Sequence, residues 1–143
     1  ESSYPNYPNK TLITYTPTFD ISATPGKVLS FWYHMYGTNM GDLEIGVIDN
    51  NGYTILDTKS GNHGDQWFFA YYPIASTDSF KIKFTATTGD LYTSDIAIDD
   101  LMISDPFNPI VGCMDPIALN YDSSAVYPNG SCTMLGNTSG NNI

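Results

Sequence analysis

The stretch Val28-Leu29-Ser30-Phe31-Trp32-Tyr33-His34-Met35-Tyr36 limits what this chain can fold into more than any other. Read with a period of two, Leu29, Phe31, Tyr33 and Met35 share one face. Val28, Ser30, Trp32, His34 and Tyr36 share the other. Apolar and aromatic residues on both faces suit a central strand covered on both sides better than an edge strand. By length a helix would also serve, but the aromatic crowding and the flanking Pro25-Gly26 and Gly37 predict a strand. Its partner strands are expected at residues 42–49 and 79–87.

The remaining chain reads as short strands punctuated by turns. Residues 12–16 form a short strand, and residues 42–49 alternate, with Leu43, Ile45 and Val47 on one face and Asp42, Glu44 and Gly46 on the other. Asn50-Asn51-Gly52 predicts a hairpin to residues 53–58, since Asn and Gly accept the positive φ of tight turns. Residues 66–72 make an aromatic strand with Trp67, Phe69 and Tyr71 on one face, and core packing is expected for Trp67. Residues 79–87 are the plainest amphipathic strand, with Phe80, Ile82, Phe84 and Ala86 inward and Lys81, Lys83 and Thr85 toward water. Turns and strands without helical periodicity predict an all-β fold, an antiparallel sandwich or barrel.

In the last strand, residues 94–103, the phase fails. Ile96 and Ile98 fit one face, Leu101 and Ile103 the other, so a β-bulge is expected across Asp99-Asp100. A slip there turns one carboxylate toward the interior, where it must meet a cation or backbone donors. Calcium is the natural extracellular cation for carboxylate and carbonyl oxygens. The competing reading leaves both aspartates in solvent.

Composition narrows the partners. Fifteen acidic residues against five lysines, with no arginine, give a formal net charge of −10. That sign excludes a nucleic-acid surface and leaves a solvated acidic exterior or carboxylates gathered around cations. No apolar run reaches the roughly 18 residues a membrane helix requires. Glu1-Ser2-Ser3 opens in polar sequence, so the chain is expected to be a piece of something longer. Its two cysteines, Cys113 and Cys132, are free thiols or a disulfide; in this composition a disulfide is expected, and with it an oxidising, exported location.

Four motifs, Leu29-Ser30-Phe31-Trp32-Tyr33-His34-Met35-Tyr36-Gly37, Met40-Gly41-Asp42-Leu43, Gly61-Asn62-His63-Gly64-Asp65-Gln66-Trp67 and Asp95-Ile96-Ala97-Ile98-Asp99-Asp100-Leu101, together resemble a MAM domain over residues 1–104. The resemblance implies a jelly-roll-like β-sandwich in extracellular, multidomain proteins, serving adhesion, recognition or oligomerisation. It also implies that Asp99 and Asp100 take part in a structural cation site with acidic residues of the family's first strand. That strand would precede Glu1; another chain supplies it, it was cleaved off, or it is not needed. The family's usual cysteines are absent, as in bacterial-type versions.

Residues 112–132 resemble Cys-bounded repeats of Bacteroidetes surface proteins. Asp115, Asn120 and Asp122 there are oxygen donors for calcium or simply turn caps. The organisation expected is an N-terminally incomplete sandwich over 1–105, the repeat over 106–132 and a linker or tail over 133–143.

Chemistry is sparse. His34 is expected to be a packed, hydrogen-bonded imidazole and His63 to face solvent from a Gly-rich loop. HExxH, a phosphate loop and a nucleophile elbow are all missing from the sequence, and Asp42 with Glu44 reads as a charged outer face rather than a glycosidase pair. No enzyme is expected. The expected function is a non-catalytic extracellular recognition or adhesion module, calcium-stabilised, within a larger secreted or cell-surface protein, its partner a protein or glycan on a cell surface or matrix. The alternatives are a carbohydrate-binding module that stacks Trp32, Trp67, Tyr71 or Tyr72 on sugars, and an ancillary domain of a secreted protease.

Overall fold

The computed structural model describes residues 3–135; Glu1, Ser2 and most of the expected tail lie outside the described residues. Two compact units divide between Phe107 and Asn108. The described residues contain strands and turns and no helix.

The first unit is a sandwich of two antiparallel sheets. One runs β1 (Thr11–Tyr15), β7 (Ser79–Thr87), β4 (Asp42–Asp49), β5 (Gly52–Ser60), with β2 (Phe19–Asp20) also paired to β7. The other runs β6 (Phe68–Pro73), β3 (Val28–Tyr36), β8 (Asp95–Ser104). Only β4 and β5 form a hairpin between consecutive strands; from β2 onward every other connection changes sheet, as in a jelly roll. In the hairpin the positive φ falls on Gly52 (113°) and on neither asparagine, while Asp49 Oδ1 accepts the Asn51 amide at 2.8 Å.

The alternation read in β3, β4 and β7 is what builds the core. Leu29, Phe31, Tyr33 and Met35 meet Leu43, Ile45 and Val47 of β4 and Phe80, Ile82 and Phe84 of β7 in one buried cluster. Phe31 and Phe84 touch edge to face across it, ring centroids 5.3 Å apart. Each such side chain contributes about 1.5–3 kcal/mol by leaving water. The central position of β3 is therefore as expected, but its neighbours are not. β4 and β7 face it from the opposite sheet, whereas the strands hydrogen-bonded to it are β6 and β8. Alternation reports which residues point to a core, and both an adjacent and a facing strand satisfy it.

The outer face of β3 is only half covered. Val28 and Ser30 are buried, Trp32 and His34 half-buried and Tyr36 exposed. The chain leaving β8 covers the Val28 end: Phe107 packs on Tyr71 at 5.1 Å and on Phe69 at 6.4 Å, and Tyr71 Oη donates to the Phe107 carbonyl at 2.6 Å. Lys27 Nζ holds Asp105 Oδ1 at 2.5 Å and pins the same segment. Phe69 in turn lies 5.4 Å from Trp32.

In the second unit, β9 (Val111–Gly112) and β10 (Tyr127–Pro128) pair in parallel, and Cys113 bridges to Tyr121. The expected disulfide joins Cys113 to Cys132, Cα atoms 4.8 Å apart. With its ends 19 positions apart in sequence, it replaces an apolar core that so short a segment cannot assemble.

Candidate functional site

The bulge in β8 lies where the phase break placed it. Tyr33 pairs with Ile98 and Trp32 with Asp99, then the register shifts and Ser30 pairs with Met102. Asp100 absorbs the extra residue in a left-handed conformation, φ 49°. Because of that insertion Ile96, Ile98 and Ile103 all lie against the core, while Leu101 is part of the insertion rather than of either face. Neither carboxylate turns inward. Asp99 and Asp100 are both exposed, and Asp99 Oδ1 accepts the Asp100 amide at 2.8 Å. No group of three or more His, Cys, Asp or Glu side chains able to hold a metal occurs among the described residues. Calcium takes six to eight oxygens, so the two aspartates alone make only part of a donor set.

The outer face of β6, β3 and β8 brings together residues that sequence distance separates. Directly opposed residues of antiparallel strands share a face, so Asp99 stands beside Trp32, Ala97 beside His34 and Asp95 beside Tyr36. The loop after β5 adds two more groups. His34 Nε2 lies 3.1 Å from Asp65 Oδ1, and the Trp67 ring lies 5.4 Å from the His34 ring, tilted by 44°. Trp67 is 41% exposed and Tyr36 51%. The core packing expected for Trp67 is thus corrected: the face it shares with Phe69 and Tyr71 is the outer one, and Phe68 and Ala70 supply the core. His34 is packed and hydrogen-bonded, as expected.

His63 departs from expectation. Its amide donates to the Met35 carbonyl at 2.9 Å, which draws the loop over the edge of the sandwich. The ring then packs edge-on to Tyr33 at 5.5 Å and close to Phe68 at 5.9 Å, with Nε2 buried and unpartnered. Burial, and then the Lys59 ammonium, hold the imidazole below its ordinary pKa of 6.5, against a backbone hydrogen bond with Ser60 that raises it.

Lys59 belongs to a polar cluster that periodicity missed. Lys59 pairs with Leu43 and Asp57 with Ile45, so both charges point to the inner face of the edge strand β5. Asp57 Oδ2 takes Lys59 Nζ at 2.7 Å and the Tyr72 hydroxyl at 2.7 Å, and Lys59 lies over the Tyr33 ring at 5.3 Å. Burial works to raise the Asp57 pKa, but its bonds to Lys59 and Tyr72 outweigh burial and leave it below 3.8. Burial, with Asp57 nearby, pushes the Tyr33 hydroxyl up to about 12. A register shift between Ile45 and Gly46, which leaves Leu56 as the extra residue, sets the face that the two charges take. Inward charges on an edge strand oppose edge-to-edge aggregation.

The other candidates are structural in the places they occupy. Glu44 accepts the Tyr53 hydroxyl at 2.5 Å on the outer face of β4, and Asp42 is exposed. In the second unit Asp115 caps the Ile117 amide at 3.0 Å, Asp122 takes both Ser124 donors, and Asn120 bonds to Ser131 and Thr133.

A two-sheet sandwich with this order of motifs matches the family model for the MAM domain, meprin/A5/mu, over residues 2–106. The chain belongs to the MAM family. It is 37% identical over 107 residues to MAM domain-containing glycosylphosphatidylinositol anchor protein 1 of Gallus gallus, covering 72% of this chain and 11% of that protein. The Homo sapiens protein of the same name is 42% identical over 79 residues, 52% of this chain and 8% of its own length. Neuropilin-1 of Xenopus laevis is 33% identical over 92 residues, 62% of this chain and 10% of its own. The MAM chain described here therefore spans about a tenth of these relatives. All three are animal proteins, and they lend no support to the bacterial-type reading or to the Bacteroidetes-like repeat. No helix among the described residues is long and apolar enough to cross a membrane.

Proposed function

We propose that this MAM domain is a non-catalytic recognition or adhesion module of a larger secreted or cell-surface protein. Family membership carries the proposal. Two relatives are named for a glycosylphosphatidylinositol anchor, which fixes a protein to a membrane surface, and the disulfide suits the same oxidising side. The partner is a protein on a cell surface or in a matrix. Labelled chain should bind intact animal cells, and surface proteolysis should abolish that binding. Absence of binding to any cell type or matrix protein removes the reading.

A carbohydrate-binding module is favoured by one observation, the exposure of the Trp67 and Tyr36 rings at the outer face of the β6–β3–β8 sheet. Binding that survives proteolysis but not glycosidase treatment, with signal on a glycan array, would establish it instead. The protease-ancillary reading rests on the sequence alone.

Calcium stabilisation through Asp99 and Asp100 is part of the proposal, supported by two adjacent exposed carboxylates at a bulge. Its test is thermal unfolding in calcium and in chelator. Calcium should raise the Tm, and Asp99→Asn or Asp100→Asn should erase the difference; equal Tm values in both conditions remove calcium.

A further inference from the structure

We propose that Asn9 is an N-glycosylation site, its side-chain amide carrying an oligosaccharide at the corner where the chain turns into β1. The inference rests on the exported location in the proposal above and adds a covalent modification to it. Three asparagines open the acceptor pattern Asn-x-Ser/Thr with a middle residue other than proline: Asn9-Lys10-Thr11, Asn129-Gly130-Ser131 and Asn137-Thr138-Ser139. So short a pattern arises by chance in many chains, and the surroundings of each asparagine decide between them. Asn129 is half-buried in the loop that Cys113–Cys132 closes, and its Oδ1 already accepts the Ser131 amide at 3.0 Å, so it serves that loop's own turn. Asn137 lies outside the described residues.

Asn9 and Thr11 are both exposed. The main chain, not the side chain, holds the corner. The Asn9 amide donates to the Gly89 carbonyl at 3.4 Å, the Lys10 amide to Thr88 Oγ1 at 3.0 Å, and the Thr88 amide back to the Lys10 carbonyl at 2.9 Å. Asn9 takes the left-handed region, φ 52°, which asparagine enters with little strain. A shallow cleft opens beside it, walled by Thr38, Asn39, Asp42, Thr87 and Asp90. Their hydroxyl, amide and carboxylate groups suit the hydroxyls and acetamide of a first sugar. In the transfer, Asn9 Nδ2 attacks the anomeric carbon of a lipid diphosphate-linked oligosaccharide, the donor used by the membrane transferase of an export pathway. A carbon–nitrogen bond forms and the bond from that carbon to the diphosphate oxygen breaks. The lipid diphosphate leaves with the electron pair, and the amide gives up one proton to the transferase. The Thr11 hydroxyl, two residues on, is the group that the transferase reads.

The experiment secretes the whole chain, behind a signal peptide, from cultured animal cells. Its peptides are mapped by mass before and after peptide-N-glycosidase, which leaves aspartate where a glycan stood. The peptide containing Asn9 should carry an N-acetylglucosamine-based glycan on most molecules. Asn9→Asp, a residue that also tolerates the left-handed region, and Thr11→Ala should each lose that glycan completely, whereas Thr11→Ser should keep it. Asn129→Gln should leave the Asn9 glycan as it is in the parent chain. An unmodified Asn9 in the secreted parent chain, an Asn9 glycan that survives Thr11→Ala, or modification confined to Asn129 or Asn137 overturns the inference. A bare Asn9 on a secreted chain that binds cells removes this site and leaves the recognition reading standing. A chain that carries the Asn9 glycan and binds no cell or matrix keeps the site and removes the recognition reading.

Discussion

His63 and Asp57 sit within one polar cluster yet respond to acid for opposite reasons. The folded state keeps the His63 imidazole neutral, so its pKa lies below the unfolded value of 6.5. Above that value both states are neutral and His63 contributes no pH dependence. As the pH falls through it, the unfolded chain takes up a proton that the folded chain refuses, and stability drops until the folded pKa is passed. Asp57 is depressed below 3.8, so its contribution is present above that value and is lost as the pH falls through the folded pKa. Thermal unfolding from pH 7 downward should therefore show an early loss that His63→Gln removes and a later one that Asp57→Asn removes. A His63→Gln curve that overlays the parent's would contradict the burial argument. Neither role was legible in sequence. A Gly-rich loop says that the chain turns but not which way His63 points, and Asp57 and Lys59 read as ordinary surface charges until the β4–β5 register turns them inward.

Strands were the most legible level, because their alternation is dictated by a single buried face. β4 and β7 have the bounds that the sequence predicted, and the bulge in β8 was readable because four apolar residues could not share one face without it. Asp100 occupies the left-handed region, where a β-branched residue is strained. Asp100→Val should cost about 1–2 kcal/mol, while Asp100→Gly should not destabilise, as urea unfolding of the two variants will show. β4 carries a constraint of another kind. A Cβ on Gly46 would come 2.3 Å from Cε2 of Tyr53, whose ring is held over the glycine by its bond to Glu44. Gly46→Ala should lose about 1–3 kcal/mol, the usual cost of overpacking, and Tyr53→Ala in the same chain should recover part of it. No pattern in the sequence shows this contact, because glycine on an outer face looks like a gap.

Across the whole molecule, the MAM unit relies on apolar burial and the second unit on a covalent staple. Reducing Cys113–Cys132 should destabilise the segment between them by roughly 3 kcal/mol in the chain-entropy model. Hydrogen exchange should read this as lost protection at the Val126 amide, which donates to the Ile110 carbonyl at 2.7 Å. Retained protection after reduction would show that the loop holds without its staple. The all-β class, the strand positions, the bulge and the disulfide were determined by the sequence alone, since each follows from local alternation, turn chemistry or a cysteine count. Which sheet each strand joins, which half of the outer face stays open, and the inward turn of Asp57, Lys59 and His63 were decided only by the tertiary structure. Periodicity gives the parity of a face, but what lies against that face is set by strands distant in sequence.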